Sequence, residues 1–239
     1  MIPQASRQLL LDLRPEQAPT LENFVPGERN AELIARLRSL AAPTGFDAVY
    51  VWGAPGSGRS HLLAATARLA AAKRPCRHLQ AAQVGAELAV APGSLVVIDD
   101  VDRLDEAAQI ALFRTFNAAR LAALALLLAG SRAPVDLALR EDLRSRIGQC
   151  LVYEVKPLGD DEKAVALRRH AMSRGMGIDD ALVAYLLRHS RRDLPTLMAV
   201  LDALDRSSLE RQRPVTVPLL REILQASFEL HGSDGPRPL

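Results

Sequence analysis

Eight consecutive residues have the composition of a phosphate-binding loop: Gly53, Ala54, Pro55, Gly56, Ser57, Gly58, Arg59 and Ser60. Glycines in such a loop let backbone N–H groups surround an anion, and a following helix N-terminus adds positive potential. Ser60 would then place its hydroxyl on a magnesium ion. Arg59 stands where the usual pattern has lysine, so the charge is kept but the head group is larger and planar. The alternative is a plain glycine-rich turn between a strand and a helix.

Two carboxylates end an apolar segment farther along the chain. Residues 95–98 predict a buried strand, and Asp99 and Asp100 follow it directly. In a parallel sheet this end of the strand lies beside the phosphate loop, where open α/β sheets bind ligands. We therefore predict that Asp99 orients magnesium and that Asp100 polarises the attacking water if hydrolysis occurs. Taken alone, two aspartates after a strand are usually part of a turn.

These motifs require strands that alternate with helices, and the first two-thirds of the chain has that pattern. Apolar periodicity predicts helices at 30–40, 60–72 and 106–120, and strands at 48–52, 77–80, 95–98, 124–129 and 151–155. The segment 124–129 could instead be the buried end of a helix, because periodicity alone does not decide. Such alternation indicates a parallel sheet with helices on both faces.

After Pro157 the pattern becomes helical, with predicted helices at 160–174, 179–189, 194–204 and 217–227. The predicted fold class is therefore α/β, a phosphate-loop NTPase core with a parallel sheet, followed by a small α-helical lid. The expected division is a flexible arm at 1–20, the core at 21–157, the lid at 158–230 and a disordered tail at 231–239.

Composition and charge narrow the range of functions. Of the 239 residues 49% are hydrophobic and only 4% aromatic, which favours a core of Leu, Ala and Val over an all-β sandwich. A net charge of +2 is too small for a chain that coats nucleic acid by charge alone. Cys76 and Cys150 have neither metal-site nor redox spacing and are expected to be reduced. We see neither a secretory signal nor a membrane-spanning run, so we expect a cytoplasmic protein.

The order of these motifs resembles the AAA+ module of the bacterial replication initiator family, DnaA. The segment 21–27 resembles the part of that module that packs against adenine, which implies that Phe24 and Val25 contact the base. The segment 130–134 resembles the first sensor of the family, but Ser131 stands where a carboxylate is usual. The resemblance therefore implies an adenine nucleotide and a weakened first sensor.

Two further resemblances concern arginines. The segment 143–148 resembles the arginine-finger box of the family, which implies that Arg146 acts on a partner's nucleotide, with Arg144 as its rival. The segment 190–194 resembles the second sensor, which implies that Arg192 contacts nucleotide, with Arg191 as its rival.

A closer resemblance, over residues 8–224, is to the Hda family, short relatives of the initiator that inactivate it. Residues 59–63 are similar to that family's phosphate loop, which implies that His61 lies at the nucleotide, and residues 201–207 and 220–224 are similar to its C-terminal part. The arm resembles the peptide with which such proteins dock on the sliding clamp, and the implied contacts are Gln8, Leu9, Leu11 and Leu13. The alternative is that residues 9–13 cap the core.

The resemblance implies a regulator whose catalytic output appears on another chain. It would bind ADP or ATP with Mg²⁺, with ADP as the working form, dock on the DNA-loaded sliding clamp and stimulate ATP hydrolysis by DnaA. It could self-associate, and it would meet DNA mainly through the clamp. The alternative is an autonomous AAA+ ATPase such as a helicase loader or transposition helper, for which both Asp99 and Asp100 are present. A DNA-binding initiator is disfavoured because the chain ends after the lid.

Overall fold

A parallel sheet forms the centre of the computed structural model, which describes residues 18–22, 24, 30–42, 45–190 and 193–231, the last six without side chains. The strands are β1 (Asp47–Trp52), β2 (Cys76–Gln80), β3 (Leu95–Asp99), β4 (Ala125–Gly130) and β5 (Leu151–Glu154). Their spatial order is β2-β3-β4-β1-β5, and every neighbouring pair is parallel. The predicted α/β class with a parallel sheet is confirmed.

Strand β4 lies in the middle of the sheet, between β1 and β3. All six of its residues are buried. A strand covered on both faces is apolar throughout, which is why periodicity alone left this segment undecided. The register places Gly130 beside Trp52, so β1 and β4 end at the same level. The loops that follow these two strands therefore begin side by side.

Helices cover both faces of the sheet, because strand side chains point alternately to opposite faces. Val49 and Val51 face α1 and α2, whereas Tyr50 faces α3 and α4. Helix α4 was not predicted, because it has only eight residues and buries only Leu143 and Ile147. The helices of the core are α1 (Ala31–Leu40), α2 (Arg59–Ala71), α3 (Glu106–Ala119) and α4 (Glu141–Gly148).

Four helices follow the sheet and bury a separate apolar cluster. They are α5 (Asp160–Ser173), α6 (Asp180–His189), α7 (Leu194–Arg211) and α8 (Val217–His231). Helix α7 extends beyond the predicted end at 204, because its last turns carry polar residues that break the apolar periodicity. The helix ends at Arg211, and the next residue, Gln212, has a left-handed φ of +49°. Among the described residues, no helix is both long enough and apolar enough to cross a membrane.

One buried side chain ties together the loops that precede three strands. The Arg74 guanidinium has five N–H donors, and these meet five backbone carbonyl oxygens. We call Arg74 with these carbonyls the arginine clasp; they belong to Leu40 (3.5 Å), Ala42 (2.9 Å), Gly93 (2.7 Å), Ser94 (3.2 Å) and Ala123 (3.3 Å). The clasp holds the amino ends of β1, β3 and β4 in place.

Candidate nucleotide site

The predicted phosphate loop connects β1 to α2 with a backbone that requires glycine. Gly56 and Gly58 have φ values of +78° and +98°, a region that other residues rarely adopt. A Cβ at Gly53 would collide with the carbonyl oxygen of Val155, the residue after β5. The three glycines are therefore needed for the shape of the loop as well as for close approach of a ligand.

Two polar atoms of the loop are buried without a hydrogen-bond partner, Ser57 Oγ and Arg59 Nη1. Ser57 is only 6% exposed. Buried polar atoms in native proteins nearly always have a partner, so these exceptions need an explanation. A phosphate oxygen accepts hydrogen bonds from both a hydroxyl and a guanidinium, and α2 begins at Arg59 with its N-terminal N–H groups available. The loop therefore fits a phosphate group.

An aromatic pair packs against the loop. A Cβ on Gly58 would stand 2.7 Å from Phe24 Cε2, so the ring lies directly on the glycine. The ring centroids of Phe24 and His61 are 5.7 Å apart, and His61 Nε2 is 3.0 Å from the carbonyl oxygen of Thr20. The structure thus brings Phe24 and His61 together with the loop, whereas Val25 lies outside the described residues.

The two predicted carboxylates stand at the carboxyl end of β3. Asp99 is 2% exposed, and its Oδ1 accepts a hydrogen bond from the Asp100 N–H at 2.9 Å. Asp100 is half-buried and has a left-handed backbone, with φ of +53°, which turns the chain into the 3₁₀ turn Val101–Arg103. The described residues hold no group of three or more His, Cys, Asp or Glu placed for a metal. Magnesium held by Asp99 and the exposed Ser60 would therefore need phosphate oxygens and water to complete its coordination.

Sequence reasoning missed a hydrogen-bond network at the end of β4. Asp102 Oδ1 accepts from the Ser131 N–H at 3.1 Å, and Asp102 Oδ2 accepts from the Ser131 hydroxyl at 2.9 Å. The Tyr50 hydroxyl donates to the Arg132 carbonyl oxygen at 2.6 Å. Burial raises the pKa of Tyr50, Asp102 raises it further, and Arg59 opposes the rise. The only sequence signal for Asp102 was its place in the acidic stretch after β3.

The two arginine-finger candidates lie on α4 and have different surroundings. Arg146 is exposed, and its Nη2 donates to Asn117 Oδ1 at 3.0 Å. Its guanidinium carbon is 6.0 Å from the ring centroid of Phe113, so Arg146 contacts α3 of its own chain. Arg144 is half-buried and lines an open surface depression of about 430 Å³ together with the exposed Val135.

The lid approaches the phosphate loop through the start of α7. The Cβ atom of Asp193 is 3.2 Å from the position that a Cβ on Gly56 would take. Asp193 also caps α7, because its side chain accepts a hydrogen bond from the Thr196 N–H at 2.9 Å. Arg191 and Arg192, as well as the predicted clamp contacts Gln8, Leu9, Leu11 and Leu13, lie outside the described residues.

Comparisons with known proteins support this architecture. Residues 160–224 match the model of the Hda lid domain. Domain III of DnaA from Thermotoga maritima has a TM-score of 0.73 at 18% identity, over 87% of this chain and 95% of that chain. AMPPCP-bound DnaA from Aquifex aeolicus has a TM-score of 0.67 at 20% identity, over 78% and 64%. A RuvB variant from Thermotoga maritima has a TM-score of 0.69 at 18% identity, over 87% and 72%. The chain therefore has the AAA+ fold found in DnaA, and its helical part, residues 160–224, matches the Hda lid domain.

Proposed function

We propose that this chain is an adenine-nucleotide-binding AAA+ regulator that docks on the DNA-loaded sliding clamp and stimulates ATP hydrolysis by the replication initiator DnaA, which prevents re-initiation. The observation that carries the proposal is the Hda-type lid at residues 160–224, joined to a core of DnaA-like fold. The division proposed with it is an arm at 1–20, the core at 21–157, the lid at 158–230 and a tail at 231–239.

The nucleotide would be ADP or ATP, with ADP as the working form. Backbone N–H groups of the loop and the Arg59 guanidinium bind the phosphates, which gives the buried, unpartnered Ser57 Oγ and Arg59 Nη1 their partners. Phe24 and His61 pack beside the loop, which supports a contact between Phe24 and adenine. Ser60 and Asp99 would hold Mg²⁺, which would supply positive charge next to the phosphates. Asp100 orients water if hydrolysis occurs here.

Arg146 is the residue proposed to act on the partner. Its exposure on α4 supports this role, because a finger must leave its own surface to reach another chain's nucleotide. A cation placed there stabilises the charge that develops on the transferred phosphoryl group and contributes roughly 10³- to 10⁵-fold in rate. The hydrogen bond to Asn117 would have to open first. The second-sensor role of Arg192 belongs to the same proposal.

The arm is proposed to carry the clamp contact. A peptide with one glutamine amide and leucines at alternate positions can order on binding and place its apolar side chains in a groove. Gln8, Leu9, Leu11 and Leu13 form such a pattern. Docking there would bring this chain close to an initiator on the same DNA, which raises the effective concentration of one for the other.

The decisive test is hydrolysis of ATP pre-bound to the initiator, with this chain in its ADP form. We expect acceleration only when clamp is loaded on DNA, and its loss in Arg146→Ala. Arg144→Ala tests the rival finger, and Arg114→Ala removes an exposed arginine from α3 as the matched control. All three variants should bind ADP as the unaltered chain does. No acceleration by the unaltered chain with loaded clamp would refute the proposal.

A second candidate function is an autonomous AAA+ ATPase such as a helicase loader or transposition helper. The observation in its favour is the Asp99–Asp100 pair at the end of β3, a complete acidic element. Steady-state ATP turnover by the purified chain, with and without DNA, separates the two. Turnover that is abolished by Asp100→Asn, without stimulation of the initiator, would favour this candidate.

A further inference from the structure

Asp102 is a third carboxylate at the end of the sheet where the nucleotide site lies. Both of its oxygens accept hydrogen bonds from one residue, Ser131, at 3.1 Å from the N–H and 2.9 Å from the hydroxyl. Two bonds from one partner fix the orientation of a carboxylate. Asp102 is half-buried, so its charge is only partly screened by water.

The register of the sheet places this carboxylate near the phosphate loop. Trp52 of β1 pairs with Gly130 of β4, so the next residues, Gly53 and Ser131, leave the sheet side by side. Neighbouring strands are roughly 4.8 Å apart. Because Asp102 is bonded to Ser131, its negative charge stands close to the first residue of the loop.

Asp102 also shares its surroundings with the cation of the loop. A Cβ at Gly130 would lie 3.1 Å from Asp102 Oδ1 and would collide with the Tyr50 hydroxyl. The charges of both Asp102 and Arg59 act on that hydroxyl and shift its pKa in opposite directions. Ser57, nine-tenths buried with an unpartnered Oγ, independently indicates that a ligand belongs in the loop. Asp102 is therefore a charged neighbour of a site built for an anion.

We infer that Asp102 sets the nucleotide specificity of this site by disfavouring a third phosphate, so that the nucleoside diphosphate is bound in preference to the triphosphate. The inference rests on the proposed function, because it presupposes a nucleotide in the loop. If Asp99 and Asp100 act as proposed, the terminal phosphate of a triphosphate faces the ends of β3 and β4. Its added negative charge then meets Asp102, and like charges repel strongly at a partly desolvated edge.

The test is isothermal titration of ADP and of ATP, each with Mg²⁺, against the full chain and two variants. We expect the full chain to bind ADP more tightly than ATP. Asp102→Asn keeps the size of the side chain but removes its charge. It should lower the ratio of the Kd for ATP to the Kd for ADP about tenfold, which is 1.4 kcal/mol, mainly because ATP binds more tightly. Asp136→Asn makes the same change on an exposed aspartate after β4 and should leave the ratio unaltered.

The ratio separates an electrostatic role from a merely structural one. Loss of structure would weaken the binding of ADP and ATP by the same factor, whereas loss of a repelling charge strengthens the binding of ATP alone. Exchanging the two residues, in D102S/S131D, returns one carboxylate to the same place and should restore the ratio of the full chain. An unaltered ratio in folded Asp102→Asn would overturn the inference while ADP binding, and with it the proposed function, still stands.

Two further outcomes have distinct meanings. Binding of neither ADP nor ATP by the full chain would overturn the proposed function itself. If Asp102→Asn does not fold, the inference is tested instead by titrating ADP and ATP against the full chain at increasing NaCl concentrations. Because salt screens the repulsion between Asp102 and the third phosphate, the ratio of the Kd for ATP to the Kd for ADP should fall as NaCl rises. A ratio that does not depend on salt would overturn the inference.

Discussion

Replacing Arg74 with alanine is expected to lower the free energy of unfolding by about 3–5 kcal/mol. The side chain is 6% exposed, and all five of its donors meet backbone carbonyl oxygens. A hydrogen bond from a charged group contributes about 1.5–3 kcal/mol, and the bonds to Gly93 and Ala42, at 2.7 and 2.9 Å, should contribute most. The loss should be smaller than the sum of the five hydrogen-bond contributions, because water can reach some of the carbonyl oxygens once the side chain is gone.

The assay is urea unfolding followed by circular dichroism at 25 °C, with the slope m compared between variants. Arg74→Lys keeps the charge but has three donors for five acceptors. It should therefore lower the free energy of unfolding by about half as much as Arg74→Ala does. Arg68→Ala, an exposed arginine on α2, is the matched control and should change stability by less than about 0.5 kcal/mol. A loss below about 1 kcal/mol for Arg74→Ala, with m unchanged, would refute the argument that the arginine clasp holds the loops together.

Three other perturbations have definite expected outcomes. Gly58→Ala forces a side chain into φ of +98° and against the Phe24 ring, so it should weaken ADP binding more than tenfold in titration, and unaltered affinity would contradict the role of the loop. Burial raises the pKa of the Cys150 thiol to about 12, so the reactive thiolate stays scarce as pH rises to 9. Iodoacetamide labelling at pH 8, read by mass spectrometry, should therefore be at least tenfold slower in the folded than in the urea-unfolded chain, and equal rates would be inconsistent with that burial. Changing Gln8 and Leu11 together to alanine should abolish clamp binding in surface plasmon resonance but leave ADP binding intact, and retained clamp affinity would exclude the arm as the docking peptide.

The elements with strong periodicity could be predicted from the sequence, often within a residue or two of their ends. The phosphate loop was recognisable because its glycines are required by local backbone geometry, which the sequence records directly. Helix α4 escaped prediction because it buries only two apolar residues. The end of α7 was missed because a helix can continue after its apolar face has ended.

The candidate site was only partly predictable, because some of its contacts join residues far apart in the chain. The pairing of Asp102 with Ser131 spans 29 positions, and the first-sensor segment that contains Ser131 does not indicate Asp102 as its partner. Similarly, the contact of Asp193 with Gly56 depends on how the lid packs on the core. Tertiary contacts of this kind follow from the strand order and helix packing, which local patterns do not specify.

The arginine clasp and the candidate nucleotide site lie at opposite ends of the same strands, β1, β3 and β4. At one end a single side chain fixes five carbonyls, whereas at the other end the loops carry an unpartnered Ser57 and a left-handed Asp100. Amide hydrogen exchange should accordingly be slowest at the amino ends, where opening requires global unfolding, and faster in the loops of the site. Apart from the glycines that the loop requires, substitutions in those loops should cost less stability than substitution of Arg74.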